Sequence, residues 1–245
     1  FYSTEDGRFV KSEKFNKPTP AEIAYWGGYF FYHNRLHRNY QDDISLHYYL
    51  LASKDGITIG KRYFKHENNK EDYPFSPSGH NLYDNNSKLY YCRDFDNIVY
   101  QIHEDSVVPR FRINLPNPLP ASMIEERPNE MSLLRSGYSL GITDIYEYGG
   151  LLFFRFVKDG YIWSCLYNVE ESKQVYCAKR IKFLDSSLID TIDGIYKDCF
   201  YSILTPEYLD YAFSENPLED YPDLFKTYDV EGDNPVIAFY RAVVR

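Results

Sequence analysis

The stretch that decides the fold is LYYCRDFDNIVYQIHEDSVVPRFRI, residues 89–113. Its apolar runs cover residues 89–92, 98–102 and 107–113, and polar turns at 93–97 and 103–106 separate them. Three strands joined by tight turns form an antiparallel meander. Such a meander has two open edges and buries too little apolar surface to be stable alone. The sequence therefore predicts that residues 89–113 form one unit of a repeated all-β architecture.

Strand-rich blocks recur on both sides of this meander. Asp-Gly steps, the strongest short-range signal of a β-hairpin, occur at residues 6–7, 55–56 and 159–160. The predicted strand regions lie at 1–15, 28–32, 46–52, 57–64, 82–113, 142–148, 151–157, 161–169, 175–183, 195–204 and 236–244. The block at 142–183 is the clearest, because it contains four successive strands separated by short polar turns.

The spacing of these blocks indicates a particular repeat. Equivalent points at Gly28, Lys88, Gly150 and Asp198 are roughly 50 to 60 residues apart, which is typical of β-propeller blades. We therefore expect a single β-propeller domain over residues 1–245, with four-stranded antiparallel blades. Four to five blades are visible in the sequence.

Short helices are expected to interrupt the strands. Residues 122–134 lie within a proline-rich segment and favour a helix between blades, and a second short helix is predicted at 221–226. Residues 205–213 begin with Thr-Pro, which is typical of a capped helix with proline at its first position. Such excursions are candidates for shaping a binding surface.

Composition and charge exclude several classes of function. Aromatic residues make up 18% of the chain, including 26 Tyr and 17 Phe, which favours half-buried strands. The formal net charge is −9, and no dense run of Lys and Arg is present, so nucleic acid is not an expected partner. No apolar run approaches the roughly 18 residues of a membrane-spanning helix, and the most apolar stretch contains Arg155.

The beginning of the sequence has no signal-peptide pattern. Residues 1–10 have the pattern of a hairpin entered partway through, so we expect further blades upstream of Phe1.

The four cysteines lie in apolar, strand-like runs without the spacing of a metal site. Cys165 and Cys177 are equally distant from Glu171, the middle of a predicted hairpin loop, so a disulfide between them is conceivable. Buried free thiols packed as small apolar groups are the preferred interpretation.

Several of these strands resemble a known family. Residues 96–102 followed by 107–113 are similar to the "D-x-I-Y-x-I" and "V-x-P-x-Y/F-x-I" strands of six-bladed β-propellers found among bacterial surface lipoproteins. Residues 233–240 resemble the family's "D-N-P-V-L-x-x-Y" terminal strand, and residues 2–9 resemble its "Y-D-x-x-G-K-F-I" hairpin. The family's lipobox and first blades have no counterpart in this sequence.

The resemblance implies an extracytoplasmic protein, periplasmic or on the outer surface, held by an N-terminal lipid that lies outside this chain. That lipid would be its only association with a membrane. The family implies no catalytic residues and no cofactor.

One group of candidate ligand-binding residues surrounds the end of a predicted strand. His33 and His37 are four residues apart, and with Asp42 or Asp43 they could hold a metal if the segment were helical. A solvated loop is the preferred interpretation, and no metal site is predicted. The same loop could bind a sugar through Arg35 and His37, with Tyr25 and Trp26 as stacking surfaces.

A second group lies in the charged turn of the central meander. Arg93, Asp94 and Asp96 are candidates to face a central opening, where paired carboxylates at the correct separation serve glycoside hydrolysis. The preferred interpretation is that Asp96 forms the turn through hydrogen bonds to the backbone. Asp144 has the same two interpretations. For Arg155, within a strand, we expect a structural partner rather than a ligand.

These observations favour a non-enzymatic binding protein whose ligand is a glycan, a peptide or a surface protein. The alternative is a propeller hydrolase, of glycosidase or lactonase type, with carboxylates or a metal at a central channel. A structural module of a larger surface assembly is a third possibility. The sequence contains neither a Gly-x-Ser-x-Gly nucleophile elbow nor a phosphate-binding glycine loop.

Overall fold

The computed structural model describes residues 5–11, 20–34, 47–66, 79–126, 128–179, 181–182, 188–189, 192–215, 228–229, 232 and 234–241. The chain divides into two compact units, Phe1–Asp72 and Tyr73–Arg245. Both are mostly β, and four antiparallel sheets of three or four strands contain most of the secondary structure. In each sheet the strands pair in the order in which they occur along the chain.

Four strands form one sheet in the described part of the first unit. Its strands are β1 (Glu22–Trp26), β2 (Tyr29–His33), β3 (Tyr48–Ser53) and β4 (Lys61–Lys65). Strand β1 was not predicted from the sequence, although residues 23–26 form a short apolar run; in the structure its exposed and half-buried residues alternate. The Asp55-Gly56 step lies in a longer loop, where Asp55 Oδ1 accepts hydrogen bonds from the backbone of Ile57 and Thr58. Strand β4 therefore begins four residues later than predicted.

The second unit begins with the predicted meander. Its strands are β5 (Leu82–Asn85), β6 (Lys88–Tyr91), β7 (Ile98–Ile102) and β8 (Val107–Arg112). The three predicted strands are confirmed, with boundaries that differ by no more than one residue. The additional strand β5 covers one edge of the meander, so that all four strands form one sheet.

Next along the chain is the longest sheet. It contains β9 (Ser139–Tyr148), β10 (Leu151–Lys158), β11 (Tyr161–Asn168) and β12 (Lys173–Ala178). Two-residue turns join its first three strands, and both residues of each turn have positive φ: 58° and 76° at Gly149 and Gly150, 55° and 73° at Asp159 and Gly160. This is the backbone that a tight hairpin requires. Strand β12 ends at Ala178, five residues before the predicted end.

The preferred interpretation of two cysteines was wrong. Cys165 of β11 and Cys177 of β12 are directly opposed in register, and they form a disulfide rather than two free thiols. Cross-strand neighbours bring their Cβ atoms within disulfide reach. Cys92 is a buried free thiol, and Cys199 is a half-buried one.

The remaining elements complete the second unit. They are α1 (Ala121–Glu126), α2 (Glu130–Leu134), β13 (Ile181–Lys182), β14 (Leu188–Ile189), β15 (Gly194–Tyr196), β16 (Cys199–Leu204), α3 (Pro206–Glu215) and β17 (Val236–Tyr240). The helix predicted at 122–134 is split in two, and the capped helix is confirmed as α3, with the Thr205 hydroxyl accepting a hydrogen bond from the Tyr208 amide. Residues 221–226 lie outside the described part of the chain. No helix among the described residues is long and apolar enough to span a membrane.

Three sheets of the second unit share one apolar core. Buried residues from β6, β10 and β16, such as Tyr90, Phe153 and Phe200, belong to the same cluster. The first strands of the three sheets (β5, β9 and β15) contact one another. The sheets therefore converge at their first strands.

A buried asparagine connects two of these strands. The side chain of Asn85 donates a hydrogen bond to the carbonyl of Ile145 (3.1 Å) and accepts one from the amide of Glu147 (2.6 Å). Both partners belong to β9, so these bonds join the sheet β5–β8 to the sheet β9–β12. A buried amide is satisfied in this way without continuous strand pairing.

Glu147 forms a second polar contact between the same sheets. Its carboxylate accepts hydrogen bonds from Lys88 Nζ (2.9 Å), from the Tyr90 hydroxyl and from Arg110 Nη2 (3.0 Å). Burial by itself raises the pKa of Glu147, because the side chain is only 9% exposed. The three hydrogen bonds outweigh this effect, and the pKa is lowered.

Candidate functional site

A cavity of about 500 Å³ lies within the second unit. Residues from β9, β10, β11 and β16 line it, together with the segments that precede β5, β15 and α3. The cavity therefore lies where one face of the sheet β9–β12 meets the sheet β15–β17. Its volume falls within the roughly 300–1,000 Å³ of small-molecule sites.

The backbone of β9 is irregular where it lines this cavity. Tyr146 pairs with Phe153, but Thr143 pairs with Arg155, so two residues of β9 oppose the single residue Phe154. The first of these two residues, Asp144, has a positive φ of 53°. Such a β-bulge reorients a side chain and is common beside functional sites. A positive φ is also uncommon for a residue other than glycine.

The bulge directs the Asp144 side chain towards Arg155. Arg155 Nε donates to Asp144 Oδ2 at 2.7 Å, and Arg155 Nη2 lies 2.7 Å from the same oxygen. The hydroxyl of Thr143 also donates to Oδ2, at 2.9 Å. Asp144 is only 8% exposed. None of the bonds that Asp144 makes to described residues uses its second carboxylate oxygen, Oδ1.

The predicted charged turn contains a similar pair that is used differently. Arg93 Nε and Nη2 donate to Asp96 Oδ2 at 3.0 and 2.7 Å. Asp96 Oδ1 accepts hydrogen bonds from the backbone amides of Asn97 (2.8 Å) and Ile98 (3.1 Å). Both oxygens of Asp96 therefore stabilise the turn itself, as the preferred interpretation of this turn predicted.

Further polar groups surround the Asp144 carboxylate. The Tyr83 hydroxyl lies 3.3 Å from the Thr143 hydroxyl and donates to the carbonyl of His80, a residue that also lines the cavity. Tyr146 donates to the carbonyl of Asp193 at 3.0 Å. Burial, reinforced by the negative charge of Asp144, raises the pKa of Tyr146, so this phenol stays protonated and acts as a donor.

Part of the lining is apolar. Val157 of β10 and Ile162 of β11 are directly opposed in register, and Ile203 of β16 also lines the cavity. Ile162 and Ile203 are 48% exposed. The cavity therefore combines a carboxylate–guanidinium pair with an aliphatic wall.

The structure places the predicted site residues in several different locations. Tyr25 and Trp26 are consecutive in β1 of the first unit, so they lie on opposite faces of its sheet. Tyr25 is 65% exposed, and its ring packs against Phe30 at 4.9 Å between centroids. Arg35 and His37 lie outside the described residues, as do Asp42 and Asp43. Ligand binding by these residues stays a prediction.

The predicted charged residues of the second unit lie together in the turn between β6 and β7. Arg93 pairs with Asp96, and Asp94 Oδ1 accepts a hydrogen bond from the Asn81 side chain at 3.1 Å. None of the three is among the residues that line the cavity. The structural partner expected for Arg155 is present, and it is Asp144.

The sequence contained a signal for this pair. Counting outwards from the two-residue turn Gly149–Gly150 in a regular hairpin places Asp144 opposite Arg155. The two residues were considered separately, and the bulge itself has no glycine to indicate it. Among the described residues, no group of three or more His, Cys, Asp or Glu side chains is placed to hold a metal ion.

Comparison with known proteins gives a fold match and a family. A crystal structure of a protein from Bacteroides fragilis NCTC 9343, determined at 2.60 Å resolution, is similar to the structure of this chain. The TM-score is 0.74 and the sequence identity is 15%. The description of that protein as exported is itself an inference. The similarity covers 97% of this chain and 69% of that protein. No curated protein matches the sequence.

A family model described as a domain of unknown function, DUF4934, matches residues 1–241. This match extends over both compact units and includes every residue of the cavity. The chain belongs to the DUF4934 family.

Proposed function

We propose that this chain is part of an exported, non-enzymatic binding protein of the β-propeller type, and that its ligand binds in the cavity beside Asp144. Successive antiparallel sheets, each with strands in sequential order, support the propeller. The contacts among β5, β9 and β15 support an arrangement with first strands innermost. In this proposal residues 1–245 belong to one β-propeller domain of the six-bladed type.

Export is supported by chemistry within the chain. The Cys165–Cys177 disulfide is of a kind that forms and persists in oxidising compartments. The similar structure from Bacteroides fragilis is also inferred to be exported. We propose a periplasmic or surface location with an N-terminal lipid anchor. Metabolic labelling of the full-length protein with a fatty acid, followed by membrane fractionation, tests the anchor, and an unlabelled protein in the soluble fraction would contradict it.

The binding role depends on one observation: a buried carboxylate at a β-bulge lines the cavity with one oxygen directed to no described partner. A carboxylate oxygen that no described group binds, at the lining of a cavity, is available to accept a hydrogen bond from something that enters the cavity. A glycan, a peptide or an exposed segment of a surface protein could supply the donor.

Blocking the cavity tests this role. Ile203→Trp adds a large side chain at an exposed lining position and is expected to abolish binding without unfolding the protein. Val175→Trp is the matched control, because Val175 is a 41% exposed strand residue that does not line the cavity. Glycan and peptide arrays with the full-length mature protein provide the readout. Equal binding by both variants would contradict the proposed location of the site.

A hydrolase remains the second candidate because two carboxylates, Asp144 and Asp193, line the same cavity. We expect no turnover of nitrophenyl glycosides or of lactones. Turnover that Asp144→Asn and Asp193→Asn each abolish would replace the binding role by a catalytic one.

A further inference from the structure

We infer that the ligand of this cavity is an uncharged sugar, one hydroxyl of which donates a hydrogen bond to Asp144 Oδ1. This inference depends on the proposed binding function and specifies the chemical class of its ligand. Three properties of the cavity lead to it: an available acceptor, an internal ion pair that reduces the gain for a charged ligand, and an aliphatic wall.

The available acceptor is Asp144 Oδ1. Asp96 shows how the same Arg–Asp geometry is completed inside the protein: Arg93 binds its Oδ2, and two backbone amides bind its Oδ1. At Asp144, Arg155 and Thr143 bind Oδ2 only. Backbone amides thus bind Oδ1 of Asp96, whereas no described donor binds Oδ1 of Asp144. A ligand donor would complete it.

The charges near this oxygen favour a neutral donor. Arg155 and Asp144 compensate each other at 2.7 Å, so a ligand near Oδ1 meets both charges at close range. A ligand carboxylate or phosphate would be repelled by Asp144 and by Asp193. A ligand ammonium would be attracted by these two carboxylates, but Arg155 reduces that attraction, and an ammonium loses more hydration than a hydroxyl on entering the cavity. A hydroxyl group donates a charge-assisted hydrogen bond without this repulsion and with this smaller loss of hydration.

The aliphatic wall fits the other side of such a ligand. Val157, Ile162 and Ile203 present branched side chains to the cavity. A pyranose ring has hydroxyl groups at its edge and C–H groups on its faces. The ring can therefore pack its C–H face against this wall while its edge reaches Asp144.

Oligosaccharides of matched size and different charge test the ligand class. The full-length mature protein is presented with neutral, amino-sugar and uronic-acid oligosaccharides, including N,N′-diacetylchitobiose and its deacetylated, cationic form, and with tripeptides. Isothermal titration calorimetry measures the affinity of each ligand that binds. We expect binding of one or more neutral sugars and weaker binding of their charged counterparts.

Variants test the role of Asp144. Asp144→Asn keeps a side chain that tolerates positive φ and is expected to weaken sugar binding about 10- to 100-fold, because a hydrogen bond to a charged group is lost. Asp198→Asn is the control, because Asp198 also pairs with an arginine, Arg241, but does not line the cavity. Ile203→Asp leaves the ion pair intact and is expected to weaken neutral sugars while strengthening cationic ones. Ile203→Asp tests the ligand class even if Asp144→Asn does not fold.

The possible outcomes separate this inference from the binding role. If only charged sugars or peptides bind, and Ile203→Trp abolishes their binding, the cavity is a binding site but the uncharged-sugar inference is wrong. Neutral-sugar binding that Asp144→Asn leaves unchanged would also contradict the inference. If no probe binds, both the inference and the binding role fail.

Discussion

Gly141 lies in β9 where the strand passes closest to the turn that contains Phe95. It has a positive φ of 100°, and a Cβ atom at this position would lie 2.7 Å from Phe95 Cα. Both the backbone conformation and the contact therefore exclude a side chain. Because the same strand continues into the Asp144 bulge three residues later, this packing helps to position the cavity.

Gly141→Ala is predicted to lower the free energy of unfolding by about 2–5 kcal/mol, from backbone strain and overpacking together. Gly149→Ala is the matched control, because Gly149 also has positive φ but no atom within 4 Å of the added Cβ. It should cost about 1–2 kcal/mol. Urea denaturation measures both, and equal losses would contradict the close packing on Phe95.

Glu147 predicts a pH dependence of stability. Its pKa is lowered in the folded protein, so its contribution to stability is present above the pKa of an unfolded glutamate and is lost as the pH falls through the folded value. Glu147→Gln should therefore destabilise by about 1–2 kcal/mol at pH 7 and by much less near pH 3.

Urea denaturation at both pH values measures this difference. Glu171→Gln provides the control, because Glu171 is exposed in the loop between β11 and β12. If Glu147→Gln lowers the free energy of unfolding equally at pH 7 and pH 3, Glu147 does not act as an ionised contact between the sheets.

At the scale of elements, the strands of the second unit differ in what holds them. Strand β12 is at the edge of its sheet and pairs only with β11 among the described strands. Several of its residues are exposed, so apolar burial contributes little to its attachment. The Cys165–Cys177 disulfide supplies a covalent link across this pair.

Replacing both cysteines by serine is predicted to lower the free energy of unfolding by about 2–3 kcal/mol, since the bond closes a short loop. Amide hydrogen exchange should become faster in β12 and remain unchanged in β5 to β8. Cys199→Ser, at a half-buried free thiol, is the control and should have little effect on either measurement. Unchanged exchange in β12 would show that backbone pairing alone retains this strand.

Elements with local signals were predictable from the sequence. The predicted strand at residues 98–102 agrees with β7, because its apolar residues are bounded by polar turns. The predicted helix at 205–213 agrees with α3, because Thr205 and Pro206 mark its start. Asp144 was harder to interpret. Its bulge depends on the packing of two sheets, and no residue in the sequence marks the shift of register. That Arg155 has a structural partner was predictable from the sequence, but that the pair with Asp144 lines a cavity was not.

At the scale of the whole molecule, net charge is the property most directly connected with partners. The chain carries a formal net charge of −9, and its carboxylates outnumber its basic side chains, 36 to 27. An acidic protein repels phosphate backbones at long range. This repulsion is strongest at low ionic strength, where screening is weakest.

We therefore predict that the full-length protein does not shift duplex DNA in an electrophoretic mobility assay at low salt. A basic protein of similar size serves as the positive control. Micromolar binding that weakens steeply as salt is added would contradict the prediction, since it would require a basic surface that the sequence does not indicate.

Asn85 has a consequence for protein engineering. Its amide donates to the carbonyl of Ile145 and accepts from the amide of Glu147, the two neighbours of Tyr146, which is the pair of bonds that a residue makes to a neighbouring strand in a parallel ladder. A single side chain thus imitates one rung of backbone pairing between strands that belong to two different sheets. In a chimera that exchanges the sheet β5–β8 for that of a homologue, an amide side chain at this position would have to be retained for the grafted sheet to dock in register.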